Sequence, residues 1–238
     1  MRQEIILALS AGLLGPMVSQ LPAQTYLWSD HADVGVNYAD GAWDLHVHQE
    51  EPPPGVEYEP SEAILGVGAA SQTTVPAGAQ WSFLGAAGST IYVLPQIQNP
   101  SLLFLGLGTE EMVPGTFVGN QVSFALKGVN GPGNFSLWEN DAFGTPNVFM
   151  NSGNGISGSD VIQLAEGTHR HVNWGFSVPG TYQIDFEASG TLAVGGAFTS
   201  SGPVTYTFAV VPEPGTWALM GLGGFGAWLS LRRRKPAR

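Results

Sequence analysis

The sequence predicts an all-β protein, an antiparallel β-sandwich preceded by an N-terminal signal helix and followed by a C-terminal hydrophobic helix. Short apolar or alternating runs recur through the middle of the chain, separated by Gly, Pro, Asn and Ser, and no long stretch follows a helical period. The chain has no cysteine, so a packed core must stabilise this fold without disulfides.

Residues 1–23 are typical of a secretory signal peptide. Arg2 precedes an apolar stretch at 5–14, and Pro16, Pro22 and small residues near Ala23 follow it. We expect the mature chain to begin near Gln24, although the weak basic end leaves the cleavage position open by several residues.

Residues 24–210 are predicted to form one domain. The predicted strands are 34–38, 43–48, 63–67, 81–83, 90–93, 102–105, 122–126, 135–138, 172–178, 182–188 and 204–210. Asp40-Gly41 predicts a tight hairpin between the first two strands. Residues 151–159, rich in Gly, Asn and Ser, predict a flexible loop.

The segment around Tyr182 refines the predicted fold class. A Pro-Gly turn precedes Tyr182, and apolar and polar residues then alternate as far as Ala188. This pattern is typical of immunoglobulin-like sandwiches, in which the Tyr hydroxyl bonds to nearby backbone. We therefore expect an immunoglobulin-like or jelly-roll-type sandwich, with Tyr182 in a structural role.

The charge of the domain excludes nucleic acid as a partner. Of 8 basic residues only Lys127 and Arg170 lie in 24–210, whereas of 19 acidic residues only Glu4 and Glu213 lie outside it. The domain therefore has a net charge of about −15, with too few cations to neutralise phosphates. The same negative charge also disfavours binding to anionic lipid.

The five histidines occur in three short clusters, which predict a metal site. On a strand, residues two apart share a face, so His46 and His48 can converge, as can His169 and His171. Two such pairs supply the nitrogen ligands that zinc, manganese or copper accepts. The weaker candidate ligands are Asp44, His31, Asp33 and Asn173. The alternative is that these are strand histidines satisfied by neighbouring carboxylates.

Residues 211–238 form a C-terminal tail that has three parts in a fixed order. Pro212-Glu213-Pro214 ends the globular part, because proline lacks a backbone donor and restrains the residue before it. An apolar run from Trp217 to Leu231 follows, and then Arg232, Arg233, Arg234 and Lys235, which predict a brief membrane span with a cytoplasmic basic end.

This tail resembles the PEP-CTERM sorting signal of Gram-negative envelope proteins. The resemblance implies export by the secretion machinery, transient anchoring in the inner membrane, and cleavage near Pro-Glu-Pro by the membrane protease exosortase. The product would then reside in the outer envelope, on the cell surface or in the extracellular matrix. An ordinary C-terminal membrane anchor is the alternative interpretation.

The domain resembles the choice-of-anchor M domain of surface proteins. The matching stretches include residues 31–36, 43–48, 94–96, 105–111, 131–133 and 167–176. Similar domains sit beside transporters that resemble importers of zinc or manganese, which is consistent with a metal role. The family carries no assigned catalytic residues.

No catalytic motif is present, so we expect a non-enzymatic protein. The sequence lacks a Gly-x-Ser-x-Gly elbow and a His-Glu-x-x-His helix, and the adjacent Glu110 and Glu111 on one strand would point apart. The alternative function is a carbohydrate-binding module of the extracellular polysaccharide matrix. Its candidate aromatic platforms are Trp28, Trp43, Trp81, Trp138 and Trp174.

Overall fold

The structure is a computed structural model that describes residues 23–50 and 53–212. These residues form short strands with a few 3-10 helices between them. The strands are β1 (Thr25–Leu27), β2 (His31–Ala39), β3 (Ala42–Gln49), β4 (Val56–Tyr58), β5 (Ala63–Val67), β6 (Gln72–Thr74), β7 (Thr90–Leu94), β8 (Phe104–Gly108), β9 (Gln121–Asn130), β10 (Phe135–Asn140), β11 (Pro146–Asn151), β12 (Val161–Ala165), β13 (His169–His171), β14 (Asn173–Phe176), β15 (Gly180–Thr191), β16 (Phe198–Ser200) and β17 (Val204–Val210). The 3-10 helices are Ala69–Ser71, Ala79–Leu84, Val118–Asn120 and Ser152–Asn154.

The strands form three sheets. A seven-stranded sheet has the order β1-β5-β17-β15-β9-β12, with β16 also beside β15. A five-stranded sheet with the order β13-β8-β2-β3-β4 carries all five histidines, and we call it the histidine sheet. The other five-stranded sheet, the adjoining sheet, has the order β11-β10-β14-β7-β6. The predicted all-β sandwich is confirmed.

One hydrophobic core takes residues from all three sheets. Phe186 of the seven-stranded sheet contacts Phe135 and Trp174 of the adjoining sheet. On the histidine sheet, Val34 and Val47 are almost fully buried in the same core. The seven-stranded sheet therefore packs against both smaller sheets, as the two layers of a sandwich require.

Two local predictions are confirmed. Asp40 and Gly41 both adopt positive φ, 53° and 85°, as the tight hairpin between β2 and β3 requires. The Tyr182 hydroxyl donates to the Val178 carbonyl over 2.8 Å, so Tyr182 fastens the start of β15 to the turn before it.

Several strand predictions were wrong in detail. Residues 81–83 belong to the 3-10 helix Ala79–Leu84, whose apolar side chains cover Trp138 and Ile91 on the outer side of the adjoining sheet. The strand predicted at 102–105 lies at 104–108, and the strand predicted at 172–178 is the shorter β14 at 173–176. The sequence did not predict β1, β4, β6, β11, β12, β13 and β16, most of which are three residues long and partly exposed.

Most strand pairs are antiparallel, as predicted, but three are parallel. β1 pairs with β5, β5 with β17, and β2 with β8 in parallel. These pairs join segments that are distant in sequence, so no hairpin turn between them could predict the pairing. The predicted flexible loop at 151–159 begins with a 3-10 turn, and the Asp160 carboxylate accepts hydrogen bonds from the backbone of Asn151 and Ser157.

Among the described residues, no helix is long and apolar enough to cross a membrane. The predicted signal helix, the hydrophobic helix at 217–231 and its basic cluster lie outside the described residues, as do Glu213 and Pro214.

Candidate metal centre

All five histidines project from the outer face of the histidine sheet. Side chains alternate along β2, so Ala32 and Val34 enter the core while His31 and Asp33 face outward. The same alternation in β3 buries Leu45 and Val47, as predicted. The outward side chains of β3 are Asp44, His46 and His48, and those of β13 are His169 and His171.

Strand register then sets which of these residues are neighbours. One row across the sheet pairs His171 with Gly106, Gly106 with Asp33, and Asp33 with His48. The next row contains His169, Gly108, Gly35 and His46. The predicted His-x-His pairs therefore flank β2 and β8 from opposite sides, and the positions between them are held by three glycines and Asp33.

These glycines make the room that the polar side chains fill. A β-carbon on Gly106 would overlap Asp33 Oδ1 and would come within 2.8 Å of His169 Nε2. A β-carbon on Gly35 would overlap the His46 ring. Glycine at these positions lets imidazole and carboxylate groups lie directly on the backbone of the sheet.

Three imidazoles and one carboxylate converge above Gly106. His169 Nε2 lies 3.2 Å from His31 Nε2 and 2.9 Å from His171 Nε2. Asp33 Oδ1 lies 3.3 Å from His169 Nε2 and 3.6 Å from His31 Nε2. Four donors held around one ion at zinc bond lengths stand roughly 3.3 to 3.6 Å apart in a tetrahedron, so the spacing suits a bound metal.

A second set of contacts orients two of these imidazoles. Glu50 Oε2 lies 2.6 Å from His31 Nδ1, and Glu110 Oε1 lies 3.1 Å from His169 Nδ1. A carboxylate on Nδ1 fixes the tautomer in which Nε2 carries the free lone pair, which is the usual arrangement behind metal-binding histidines. Phe104 stacks on His171, with ring centroids 3.5 Å apart, and holds that ring in place.

The electrostatics of Asp33 and His171 reflect their burial. Burial, with added repulsion from Glu50 and Glu110, raises the pKa of Asp33 to about 8. Asp33 is 1 % exposed, and neither of its carboxylate oxygens has a hydrogen-bond partner. Burial and the neighbouring His169 and His31 lower the pKa of His171 to about 4, which keeps this imidazole neutral and available as a ligand.

No lysine or arginine among the described residues balances the carboxylates of this face. Lys127 pairs with Glu187 at 3.7 Å, and Arg170 pairs with Glu139. Within this part of the chain, the carboxylates of Asp33, Glu50 and Glu110 are therefore paired only with histidines.

The structure separates the predicted ligands into three groups. His31, a weaker candidate, groups with His169 and His171, and Asp33, another, joins His31, His169 and Glu50 in an overlapping group; we call the two together the convergent group. His46 lies across β2 from that group, beside Asp44 and Glu111 at 3.7 and 3.9 Å, and its ring centroid is 6.5 Å from that of His48.

Asn173 does not share the face of His169 and His171, contrary to prediction. The chain enters the adjoining sheet after Val172, and the Asn173 amide there bonds the Gln96 side chain and backbone and the Trp138 carbonyl. Asn173 has the spacing expected of a ligand beside His169 and His171, but it forms hydrogen bonds within the adjoining sheet instead.

Sequence reasoning missed the supporting residues Glu50, Glu110 and Phe104. Glu110 and Glu111 lie in a turn after β8, not on a strand, and reach different histidines. The Gly-x-Gly spacing of Gly106 and Gly108 could have indicated this site in the sequence. Glycines on one face of a strand leave space into which side chains from both neighbouring strands can extend.

The comparisons with known proteins identify the tail. Residues 210–235 match the PEP-CTERM protein-sorting motif. This motif implies exosortase-dependent export with transient anchoring in the membrane. None of the curated proteins and none of the solved structures matches the chain.

Proposed function

We propose that this chain is a non-enzymatic cell-envelope or extracellular-matrix protein whose domain binds one zinc ion through His31, Asp33, His169 and His171. The observation that carries the proposal is the close approach of three Nε2 atoms, two of which also lie near a buried carboxylate that has no hydrogen-bond partner. Keeping such a carboxylate ionised without a partner costs roughly several kcal/mol, and a bound divalent cation would remove that cost.

The donor set favours zinc among the three metals that the sequence suggests. His31, His169 and His171 form one group with ligand atoms within 4.8 Å of one another, and Asp33 belongs to an overlapping group with His31 and His169. Manganese prefers six oxygen-rich ligands and copper(II) a tetragonal arrangement, whereas zinc accepts tetrahedral sites of this composition.

The same donor set supports binding over catalysis. Four protein ligands fill a tetrahedral shell, as in structural zinc sites, whereas catalytic sites keep one position for water. The resemblance of residues 31–36 and 167–176 to choice-of-anchor M surface domains agrees with this role. Because the sorting motif implies export, the site would serve outside the cytoplasm, either to capture metal or to stabilise a surface scaffold.

Elemental analysis of the purified full chain after dialysis tests the proposal. We expect one dialysis-resistant zinc per chain, and its loss from the His31→Ala, His171→Ala double variant. The matched control is His48→Ala, which removes a histidine of the same sheet outside the convergent group. Zinc that stays with the double variant, or that never resists dialysis in the wild-type chain, would overturn the proposal.

A second candidate, polysaccharide binding, is favoured by one surface feature. Tyr26 and Trp28 are 54 % and 38 % exposed, and their rings are nearly parallel with centroids 5.8 Å apart. Trp28 lies on Gly66, where a β-carbon would overlap its ring, and the exposed parts of Trp28 and of the neighbouring Tyr26 are the surface that a sugar could contact.

Retention on a glycan panel tests this second candidate. We expect wild-type chain to be retained on at least one polysaccharide and the Trp28→Ala variant to elute early. The buried Trp174 gives no such platform. Absence of retention across a broad panel would remove the candidate.

A further inference from the structure

A cavity of about 320 Å³ lies on the outer side of the adjoining sheet, and we call it the outer cavity. The 3-10 helices Ala69–Ser71 and Ala79–Leu84 border it, together with strands β6, β7, β10 and β14. Its volume is at the lower end of the roughly 300 to 1,000 Å³ that small-molecule sites occupy. The outer cavity therefore suits a small ligand.

Two tryptophans form an aromatic wall of the outer cavity. Trp138 of β10 lies over Gly175 of β14, where a β-carbon would overlap its ring. Phe83 stacks on Trp81 of the second 3-10 helix, with ring centroids 6.2 Å apart, and meets the Trp138 ring edge-on at 5.4 Å. The three rings support one another, so the wall offers an ordered apolar surface to a ligand.

The polar side chains that border the outer cavity are hydroxyls and amides. They are Ser71, Thr73, Thr74, Asn99, Asn140 and Asn173. Thr73 and Thr74 are exposed at the rim, on the edge strand β6. Asn140 Oδ1 accepts a hydrogen bond from Trp138 Nε1 over 3.1 Å, which holds the Asn140 amide beside the aromatic wall. Hydroxyl and amide groups of this kind both donate to and accept from the hydroxyl groups of a ligand.

Ser71 supplies a buried hydroxyl at the same cavity. Its side chain is 3 % exposed, and its Oγ has no hydrogen-bond partner in the described part of the chain. Buried polar atoms almost always bond to protein, water or a ligand, so this hydroxyl indicates a polar group in the cavity. A purely apolar ligand would leave it unsatisfied.

The charge around the outer cavity excludes an ionic ligand. Of the described residues that border it, none is charged, although the domain is strongly acidic. A cation would find no carboxylate there, and an anion would find no lysine or arginine and would be repelled by the domain. The fitting ligand is therefore neutral, with an apolar face and several hydroxyl groups.

We propose that the outer cavity binds a neutral pyranose ring, whose C–H face packs on Trp81 and whose hydroxyl groups bond to Ser71 and Asn140. A free sugar and the end of a polysaccharide chain present the same ring. This site is separate from the surface formed by Tyr26 and Trp28, neither of which borders the cavity. It is also independent of the proposed zinc site, whose ligands lie on the histidine sheet.

Saturation-transfer NMR on the full chain tests this inference. The probes are the methyl pyranosides of glucose, galactose, mannose and N-acetylglucosamine. We expect at least one of them to bind. The uronic acid of the same sugar should bind roughly tenfold more weakly, because its carboxylate would enter the cavity without a counter-charge.

Two variants locate the bound sugar. Ser71→Ala removes one neutral hydrogen bond and should weaken binding about threefold to tenfold. Trp81→Ala removes part of the aromatic wall and should weaken binding by a similar factor of about threefold to tenfold. The controls are Ser123→Ala and Phe198→Ala on the seven-stranded sheet, which remove a hydroxyl and an aromatic ring elsewhere and should leave binding unchanged.

Several results would overturn the inference. If none of the four pyranosides binds, the cavity holds water alone. Binding that stays unchanged in both Ser71→Ala and Trp81→Ala lies elsewhere, and its loss from Trp28→Ala would place it on the Tyr26 and Trp28 surface. Because Ser71 Oγ has no partner, Ser71→Ala gives a reading that does not depend on the packing of the Trp81 helix.

Competition distinguishes the two sources of the ring. Displacement of the bound pyranoside by a polysaccharide of the same sugar shows that a chain end enters the cavity, and no displacement shows that the free sugar does. Either result supports the site. The NMR titration is carried out on the metal-depleted chain, so failure of the sugar site and failure of the zinc site are read separately.

Discussion

Asp33 is the residue on which the candidate site depends most. Its carboxylate is buried between His31 and His169, and it approaches both without an optimal hydrogen bond. A neutral side chain of the same shape would avoid the cost of desolvating a charge. An aspartate at this position is therefore a cost to the metal-free fold that the proposed cation would compensate.

The cost of Asp33 predicts how the stability of the metal-free chain depends on pH. Folded Asp33 keeps its proton up to about pH 8, whereas the unfolded side chain loses it near 3.8. The folded state therefore binds more protons between these values, and the free energy of unfolding falls as pH rises. His171, with its pKa lowered from 6.5 to about 4, opposes this trend only below pH 6.5.

We therefore expect the free energy of unfolding of the metal-free chain to fall between pH 6.5 and pH 8. Urea denaturation in the presence of a chelator measures it. Asp33→Asn removes the titrating group, so the decline should be smaller in this variant. An equal decline in both chains would show that Asp33 does not carry the effect.

The carboxylates behind the histidines predict a second set of effects. Glu50→Gln and Glu110→Gln keep the shape of the side chain but weaken its hold on His31 Nδ1 or His169 Nδ1. We expect each to weaken zinc binding at the proposed site roughly tenfold to a hundredfold, as loss of such partners does in other metal sites. Competition with a chromophoric chelator measures the affinity, and Glu187→Gln, far from the site, should leave it unchanged.

At the scale of elements, β8 determines which side chains meet. It lies between β13 and β2, and its outward glycines allow His169 and His171 to reach His31 and Asp33 across it. β3 lies on the far side of β2, so His46 and His48 face the same surface from a greater distance. The site is therefore a property of strand order.

A substitution in β8 tests this role. Gly106→Ala places a methyl group where Asp33 Oδ1 and His169 Nε2 now lie. We expect at least a tenfold loss of zinc affinity while the fold, read by circular dichroism, is kept. Gly158→Ala is the matched control, because nothing lies within 4 Å of the added carbon there. Unchanged affinity in Gly106→Ala would contradict the proposed position of the ion.

The sequence predicted the faces of the strands but not their order. Alternation correctly sent Leu45, Val47 and Val172 into the core, and Asp40-Gly41 correctly predicted a hairpin. The parallel pairing of β2 with β8 joins residues about seventy positions apart, and no local signal encodes it. For that reason the sequence ranked His46 and His48 above His31 and Asp33.

At the scale of the whole molecule, the acidic domain and the sorting tail are both consistent with an exported protein. The basic residues are concentrated in the tail, whose residues 210–235 match the sorting motif, and the domain before it is strongly acidic. Such a surface repels nucleic acid and anionic lipid and concentrates cations around the protein. A metal-binding face fits this arrangement.

The tail gives a prediction about processing. Pro212→Ala with Pro214→Ala removes the two prolines of the sorting motif and allows the apolar segment to continue into the domain. We expect the variant to accumulate as an unprocessed, membrane-retained chain, detected by mass spectrometry of envelope fractions. Pro203→Ala, outside the motif, should be processed normally, and normal processing of the double variant would count against exosortase recognition.

The most direct test of the zinc site is anomalous diffraction at the zinc edge from crystals of the chain grown with zinc. A metal at His31, Asp33, His169 and His171 predicts a strong peak roughly 2.0 to 2.2 Å from three Nε2 atoms and Asp33 Oδ1. A peak elsewhere, or no peak while these four side chains remain in place, would contradict the account.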